Sequence, residues 1–226
     1  MTYPEFEKAL SPARLNRYLG AVNRDQNKAL ELYRLNIQLS QEFYAILSLF
    51  EVSFRNAIDT HYQTQFSDSE WLKNQCTGTG FLNNPAFAVG RHKSKKKVND
   101  GIKKLGVKYT HDRLVASISF GFWINLFAPM QFRYAGQTLH RIFVNRQKGT
   151  QPKDIFKDLS LILDFRNRVA HHEPLCFNGS HQKDVSYAQK HYNLIVEKTN
   201  WLGHPPQDLF KGLDNTQHVI NQIAAL

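Results

Sequence analysis

Apolar residues recur along most of this 226-residue chain at the three- and four-residue steps of an α-helix, and no sustained strand-type alternation appears. Leu15, Tyr18 and Leu19 follow Ser11-Pro12, a capping serine with a proline suited to a first helical turn. After Asp25, another capping type, Leu30, Tyr33, Ile37 and Tyr44 keep helical spacing, and Phe43, Leu47, Phe50, Phe54 and Ile58 make a seam. No proline intervenes before Pro85, so one long helix or two cover about Gln26 to Phe66. Glu51 and Arg55 flank that seam one turn apart, a pair worth about a few tenths of a kcal/mol if exposed.

Gly78, Gly80, Asn83, Asn84 and Pro85 predict a loop from Cys76 to Val89. Gly78-x-Gly80 lacks the strand-to-helix context of a nucleotide loop. A basic run follows, Arg91-His92-Lys93-Ser94-Lys95-Lys96-Lys97 with Lys103, Lys104 and Lys108, which predicts a basic loop over about 90–108. Such a run is either a solvated face or a contact for phosphates.

Leu114 to Met130 carries no charge, but Ser117, Ser119, Gly121, Asn125 and Pro129 interrupt it and it is short for a membrane span. It predicts a buried core helix in which Gly121 lets two helices approach closely, and no membrane partner. Phe127, Phe132, Tyr134 and Leu139 extend the core toward a loop at 147–150; helical spacing favours packing over base stacking for these rings.

Ile155, Leu159, Ile162 and Val169 then follow Pro152 at helical intervals, predicting a helix over about 153–172. Arg166 falls on the same stripe. A buried guanidinium costs several kcal/mol unless paired, so it should meet a carboxylate, a subunit boundary or a wet cleft. Asn167 and His171 share one face and Arg168 and His172 the next, while Pro174 ends the helix near the histidines. The negative end of the helix dipole favours a protonated imidazole there, placing His171 to donate a proton. Arginine, amide and histidine at a helix end form a phosphate-handling set; the same residues also suit a merely solvated basic terminus. Phe54-Arg55-Asn56 repeats Phe165-Arg166-Asn167, with His61 aligned to His172, and both chance and duplication account for it.

Beyond a polar connector at 175–183, Tyr187, His191, Leu194 and Ile195 predict a helix ended by Trp201 to Pro206. Leu209, Leu213, Val219, Ile220 and Ile223 predict a closing helix. With 42% apolar residues and no linker-like tract, the chain is expected to form a single domain over 1–226. A formal charge of +10 favours a polyanionic partner. Cys76 and Cys176 form no CxxC pair, and His171, His172 and Glu173 diverge around a helix, so neither a metal site nor any other cofactor is expected. The N-terminus lacks a signal-peptide pattern, and the expected location is cytoplasmic.

Arg166-Asn167-Arg168-Val169-Ala170-His171 fits the Arg-polar-x3-His signature of the HEPN superfamily, and its continuation through His172-Glu173-Pro174 resembles the Abi-like (abortive infection) family. Further blocks resemble that family: Ser11-x2-Arg14-Leu15-x2-Tyr18-Leu19, Ala29-Leu30-x-Leu32-Tyr33-x2-Asn36, Glu51-Val52-x2-Arg55-Asn56-Ala57-Ile58, and Phe120-Gly121-Phe122-Trp123. The resemblance implies an all-α, HEPN-like helical bundle with additional helices, and a homodimer whose two motifs form a composite active site. It implies a metal-independent endoribonuclease serving phage defence or acting as a toxin, held in check by an RNA or protein antitoxin. In that role Arg166 stabilises phosphate charge, Asn167 orients the substrate or His171, and His171 is the general acid or base. Arg168, His172, Arg55, Asn56 and the Lys95, Lys96 and Lys97 run would support RNA binding, and Glu51 would partner Arg166 or Arg55. His172 also fits a looser arginine-to-histidine spacing. The alternative is a non-catalytic RNA- or nucleotide-binding dimer. Glu173 replaces the tyrosine of members under nucleotidyltransferase control, which disfavours that form of regulation.

Overall fold

The computed structural model describes residues 2–85, 94–179 and 182–226. Among them are twelve α-helices and no strand, only an isolated bridge between Phe177 and Lys183, so the all-α expectation holds. The helices are α1 (Tyr3–Leu10), α2 (Pro12–Ala21), α3 (Gln26–Phe66), α4 (Trp71–Asn74), α5 (Ser94–Leu105) and α6 (His111–Ser117). They continue with α7 (Phe120–Asn125), α8 (Pro129–Tyr134), α9 (Pro152–Ala170), α10 (Ser186–Trp201), α11 (Pro206–Leu209) and α12 (Thr216–Ala225). No helix among the described residues is long and apolar enough to cross a membrane.

The region between Asp25 and Ser67 is one 41-residue helix, α3. The Asp25 carboxylate caps it, accepting from the N–H groups of Asn27 at 2.9 Å and Lys28 at 3.1 Å. Its buried face in the first half keeps Leu30 and Tyr33 of the sequence stripe but then departs from it. Ala29, Leu32, Asn36, Leu39 and Phe43 are buried, whereas Ile37 is half-buried and Tyr44 exposed. A polar Asn36 at a core position conceals this face from hydropathy.

The chain divides into two compact units. The first comprises residues 1–49, 164–197 and 205–226. Its core joins Leu15 and Tyr18 of α2, the first half of α3, the end of α9, and α10 and α12. Phe165 is held between the Phe43 ring, edge-on at 4.6 Å, and the His191 ring, stacked at 4.5 Å. Tyr18 packs edge-on against both Tyr33 and Phe177, each at 5.0 Å.

The second unit comprises residues 50–163 and 198–204. Phe54 sits at its centre among Phe50, Phe120, Phe127 and Phe143, so these rings are core. The uncharged window is not one helix as expected but α6, α7 and α8, broken before Phe120 and again at Pro129, which occupies a first helical turn. Gly121 needs no close approach: a Cβ there would meet Leu163 at 3.5 Å, an ordinary contact. The described part of the basic run is helix α5, followed by a 3-10 turn that ends at Lys108, rather than a loop, because Ser94 and Val98, one turn apart, are buried and give α5 an inner face. Arg91, His92 and Lys93 lie outside the described residues. At the C-terminus α12 supplies Val219, Ile220 and Ile223 to the first unit's core, but Leu213 is exposed.

Candidate functional site

The motif lies on the last turns of α9, in the first unit. The buried positions of this helix are Ile155, Leu159, Ile162, Phe165 and Val169. Phe165 therefore takes the place on the seam that the sequence pattern assigned to Arg166. Arg166 and Asn167 flank it, half-buried, and His171 and His172 are exposed. That relaxes the cost of burying a guanidinium, since Arg166 is only half-buried.

The helix ends in a Schellman turn. The His171 N–H donates to the Asn167 carbonyl at 2.9 Å, so helical spacing, and the face that Asn167 and His171 share, continues one residue past the helix. Next the His172 N–H donates to Val169 at 3.1 Å and the Glu173 N–H to Arg168 at 3.0 Å, the pairing of that motif. His172 occupies its left-handed position, φ 56°, where glycine is usual.

Three arginines and an asparagine fasten this turn from within the first unit. Arg168 directs Nε and Nη2 at the Pro174 carbonyl, at 3.1 and 2.8 Å, and lies 3.7 Å from the Glu173 carboxylate. Its guanidinium stands over the Tyr187 ring at 4.9 Å. From α2, Arg14 donates to the His172 carbonyl at 2.8 Å and Arg17 to the Asn178 carbonyl at 3.1 Å, the latter lying 4.3 Å over Phe177. The buried Asn36 side chain accepts the Leu175 N–H at 2.7 Å. Arg14, Arg17 and Asn36 had no assigned role in the sequence reading. The signal available is the place of Arg14 and Asn36 in the blocks that resemble the Abi-like family.

The remaining predicted site residues belong to the second unit. Glu51 and Arg55 are half-buried on α3, and Arg55 Nη1 approaches the Ala116 carbonyl at 3.5 Å. Asn56 is exposed and borders a cleft of about 800 Å³. Lys95, Lys96 and Lys97 are exposed on α5; Lys95 reaches the Asn83 side chain at 2.6 Å and Lys96 pairs with Asp100, four residues on, at 2.6 Å. These are surface contacts of small energy.

Among the described residues no three His, Cys, Asp or Glu side chains gather as a metal site requires. Both cysteines are free and buried, and burial pushes the thiols up, to about 11 for Cys76 and about 12 for Cys176. Neither is a nucleophile at neutral pH. What the end of α9 offers chemically is a guanidinium, an amide and an exposed imidazole on a rigidly held turn.

A family model described as Abi-like protein matches residues 4–177, a span that includes the motif, its turn and all four fastening residues. No curated protein and no solved structure matches the chain.

Proposed function

The chain belongs to the Abi-like protein family, and from that premise we propose that it is a metal-independent endoribonuclease acting in abortive phage defence or as a growth-halting toxin. The observation that carries the reading is the set Arg166, Asn167 and His171 at the fastened end of α9, with the imidazole exposed and the other two side chains half-buried beside it.

In this reaction the ribose 2′-OH attacks the adjacent phosphorus and the bond to the 5′ oxygen breaks, leaving a 2′,3′-cyclic phosphate and a 5′-OH. His171 moves a proton between these oxygens, Arg166 neutralises charge growing on the non-bridging oxygens, and Asn167 orients the substrate or the imidazole. The need for the 2′-OH makes RNA the substrate. A homodimer bringing two motifs together completes the site, and the exposed lysines of α5, in the second unit, offer RNA phosphate contacts of their own.

The test is incubation of purified wild type, Arg166→Ala and His171→Ala with labelled RNA in excess chelator, followed by analysis of product ends. Cyclic phosphate ends made by wild type alone are expected, with both variants folded. Equal cleavage by all three proteins overturns the assignment. Salt-sensitive RNA binding without any cleavage would instead favour a binding module.

A further inference from the structure

The second unit contains a cleft of about 800 Å³, in the size range of small-molecule sites. It lies along the repeated Arg-Asn segment of α3 and is bordered by Asn56, Thr60 and His61 on that helix, and by Thr138 and Arg141 opposite. Ala57, Ile142 and Leu202 supply apolar wall. No acidic residue lines it, and Arg141 is exposed at its margin.

A directional hydrogen-bond chain fixes the His61 ring. The Gln65 amide NH₂ donates to the Ala135 carbonyl at 2.9 Å, which leaves the Gln65 oxygen as an acceptor. The Thr138 hydroxyl gives its one proton to that oxygen. At 2.9 Å from the same hydroxyl, His61 Nε2 must therefore be the donor. Burial lowers the His61 pKa; the Arg141 and His140 charges also lower it, against a hydrogen bond to Gln65 that raises it. The ring is thus neutral at neutral pH, with its Nδ1 lone pair available to accept a hydrogen bond.

The cleft thus combines a cation, an imidazole acceptor, the hydroxyls of Ser53 and Thr60, the Asn56 amide and a lining that is otherwise largely apolar. An anion alone would use only the arginine; a neutral apolar ligand would leave Arg141 and the His61 lone pair unused. We propose that this cleft binds a small phosphorylated sugar, with Arg141 holding the phosphate and His61 accepting from a sugar hydroxyl. The site is separate in sequence and chemistry from the α9 motif and does not depend on the ribonuclease reading.

Calorimetric titration of the full chain with ribose 5-phosphate, AMP, ribose and inorganic phosphate tests it. Ribose 5-phosphate or AMP should bind at least about tenfold more tightly than ribose, which lacks the charged contact, and than phosphate, which lacks the hydrogen bond to His61 and the apolar wall contact. Preference between the first two tells a free sugar phosphate from a nucleotide. Arg141→Gln, at an exposed position, should weaken binding about tenfold or more, and His61→Ala should also weaken it, while Arg166→Ala leaves it unchanged. No binding up to about 10 mM, beyond even a weak specific site, overturns the proposal. So does binding insensitive to Arg141→Gln or abolished by Arg166→Ala, or equal affinity for inorganic phosphate.

Discussion

Arg168 reaches beyond the end of its own helix and grips the carbonyl of Pro174 with two nitrogens, at 3.1 and 2.8 Å. The guanidinium thereby closes the segment that carries both histidines, and its fork geometry is what permits two bonds to one oxygen. The family resemblance assigns Arg168 to RNA binding; its contacts suit it to positioning the turn. Arg168→Met should lower stability by about 1.5–3 kcal/mol, several degrees in a thermal melt, and Arg168→Lys should restore only part of it. An unchanged melt with lost RNA binding would return Arg168 to the substrate.

His172 holds a left-handed conformation, φ 56°, at the glycine position of the Schellman turn. A non-glycine residue there is strained by about 1 kcal/mol, although histidine tolerates the region better than most. His172→Gly should therefore leave the melting temperature equal or raise it, and should retain RNA cleavage if His171 is the proton-transfer residue. Loss of cleavage in a well-folded His172→Gly protein would move that role to His172.

In the two helices whose buried stripe departs from the sequence pattern, a polar residue is involved: on α3 it occupies the seam, and on α9 it stands beside it. On α3 the stripe holds at Leu30 and Tyr33, and beyond them the buried Asn36 breaks the hydropathy and diverts the pattern to Ile37 and Tyr44. On α9 Arg166 matched the period as well as Phe165 did, because a seam with steps of three and four admits either neighbour. Helix starts marked by Pro12, Asp25 and Pro152 were legible, since capping and proline geometry are local. The fastening of the turn by Arg14, Arg17 and Asn36 was not, because their partners are backbone groups more than a hundred residues away. Nor was the division into two units, each assembled from separated stretches, so no linker composition marks it.

Asn36 makes a direct test of that fastening. Its side chain accepts the buried Leu175 N–H at 2.7 Å, and Asn36→Leu would leave that donor without its acceptor. The expected loss is about 1–3 kcal/mol by thermal or denaturant unfolding. Native-state hydrogen exchange should quicken at Leu175 more than at α12. Unaltered exchange at Leu175 would show that the bond does not anchor the segment.

Lys198 is 1% exposed, with its ammonium 2.7 Å from the Asp158 carboxylate and 3.4 Å over the Trp201 ring. An ammonium this deeply buried depends on the opposite charge beside it. Asp158→Asn should cost about 3 kcal/mol, whereas Lys198→Met combined with Asp158→Asn should cost less than Asp158→Asn alone, since the charge is removed as well. Denaturant midpoints of the two variants decide it. A double variant less stable than the single would mean that the lysine contributes mainly through its other contacts.

Asp59 gathers three donors: His111 Nε2 and Trp71 Nε1 on one oxygen, each at 2.7 Å, and Gln63 on the other at 2.7 Å. The hydrogen bond to Asp59 raises the His111 pKa above 6.5, overcoming the opposing effect of burial, with the Asp59, Glu70 and Asp112 charges adding to the rise. A raised folded pKa means that this contribution is fully present below the unfolded value and is lost as pH rises through the folded one. His61, His140 and His191 behave oppositely. Burial depresses each, so their stabilising contribution is present above 6.5 and lost as pH falls through the lowered values. Imidazole proton resonances should accordingly place the His111 titration above 6.5 and the other three below it. Asp59→Asn should bring His111 down, and its stability penalty should be larger near about pH 6 than near about pH 9, because only the protonated ring gains from the carboxylate. A penalty that grows with pH would reverse the sign and dismiss the charged pair.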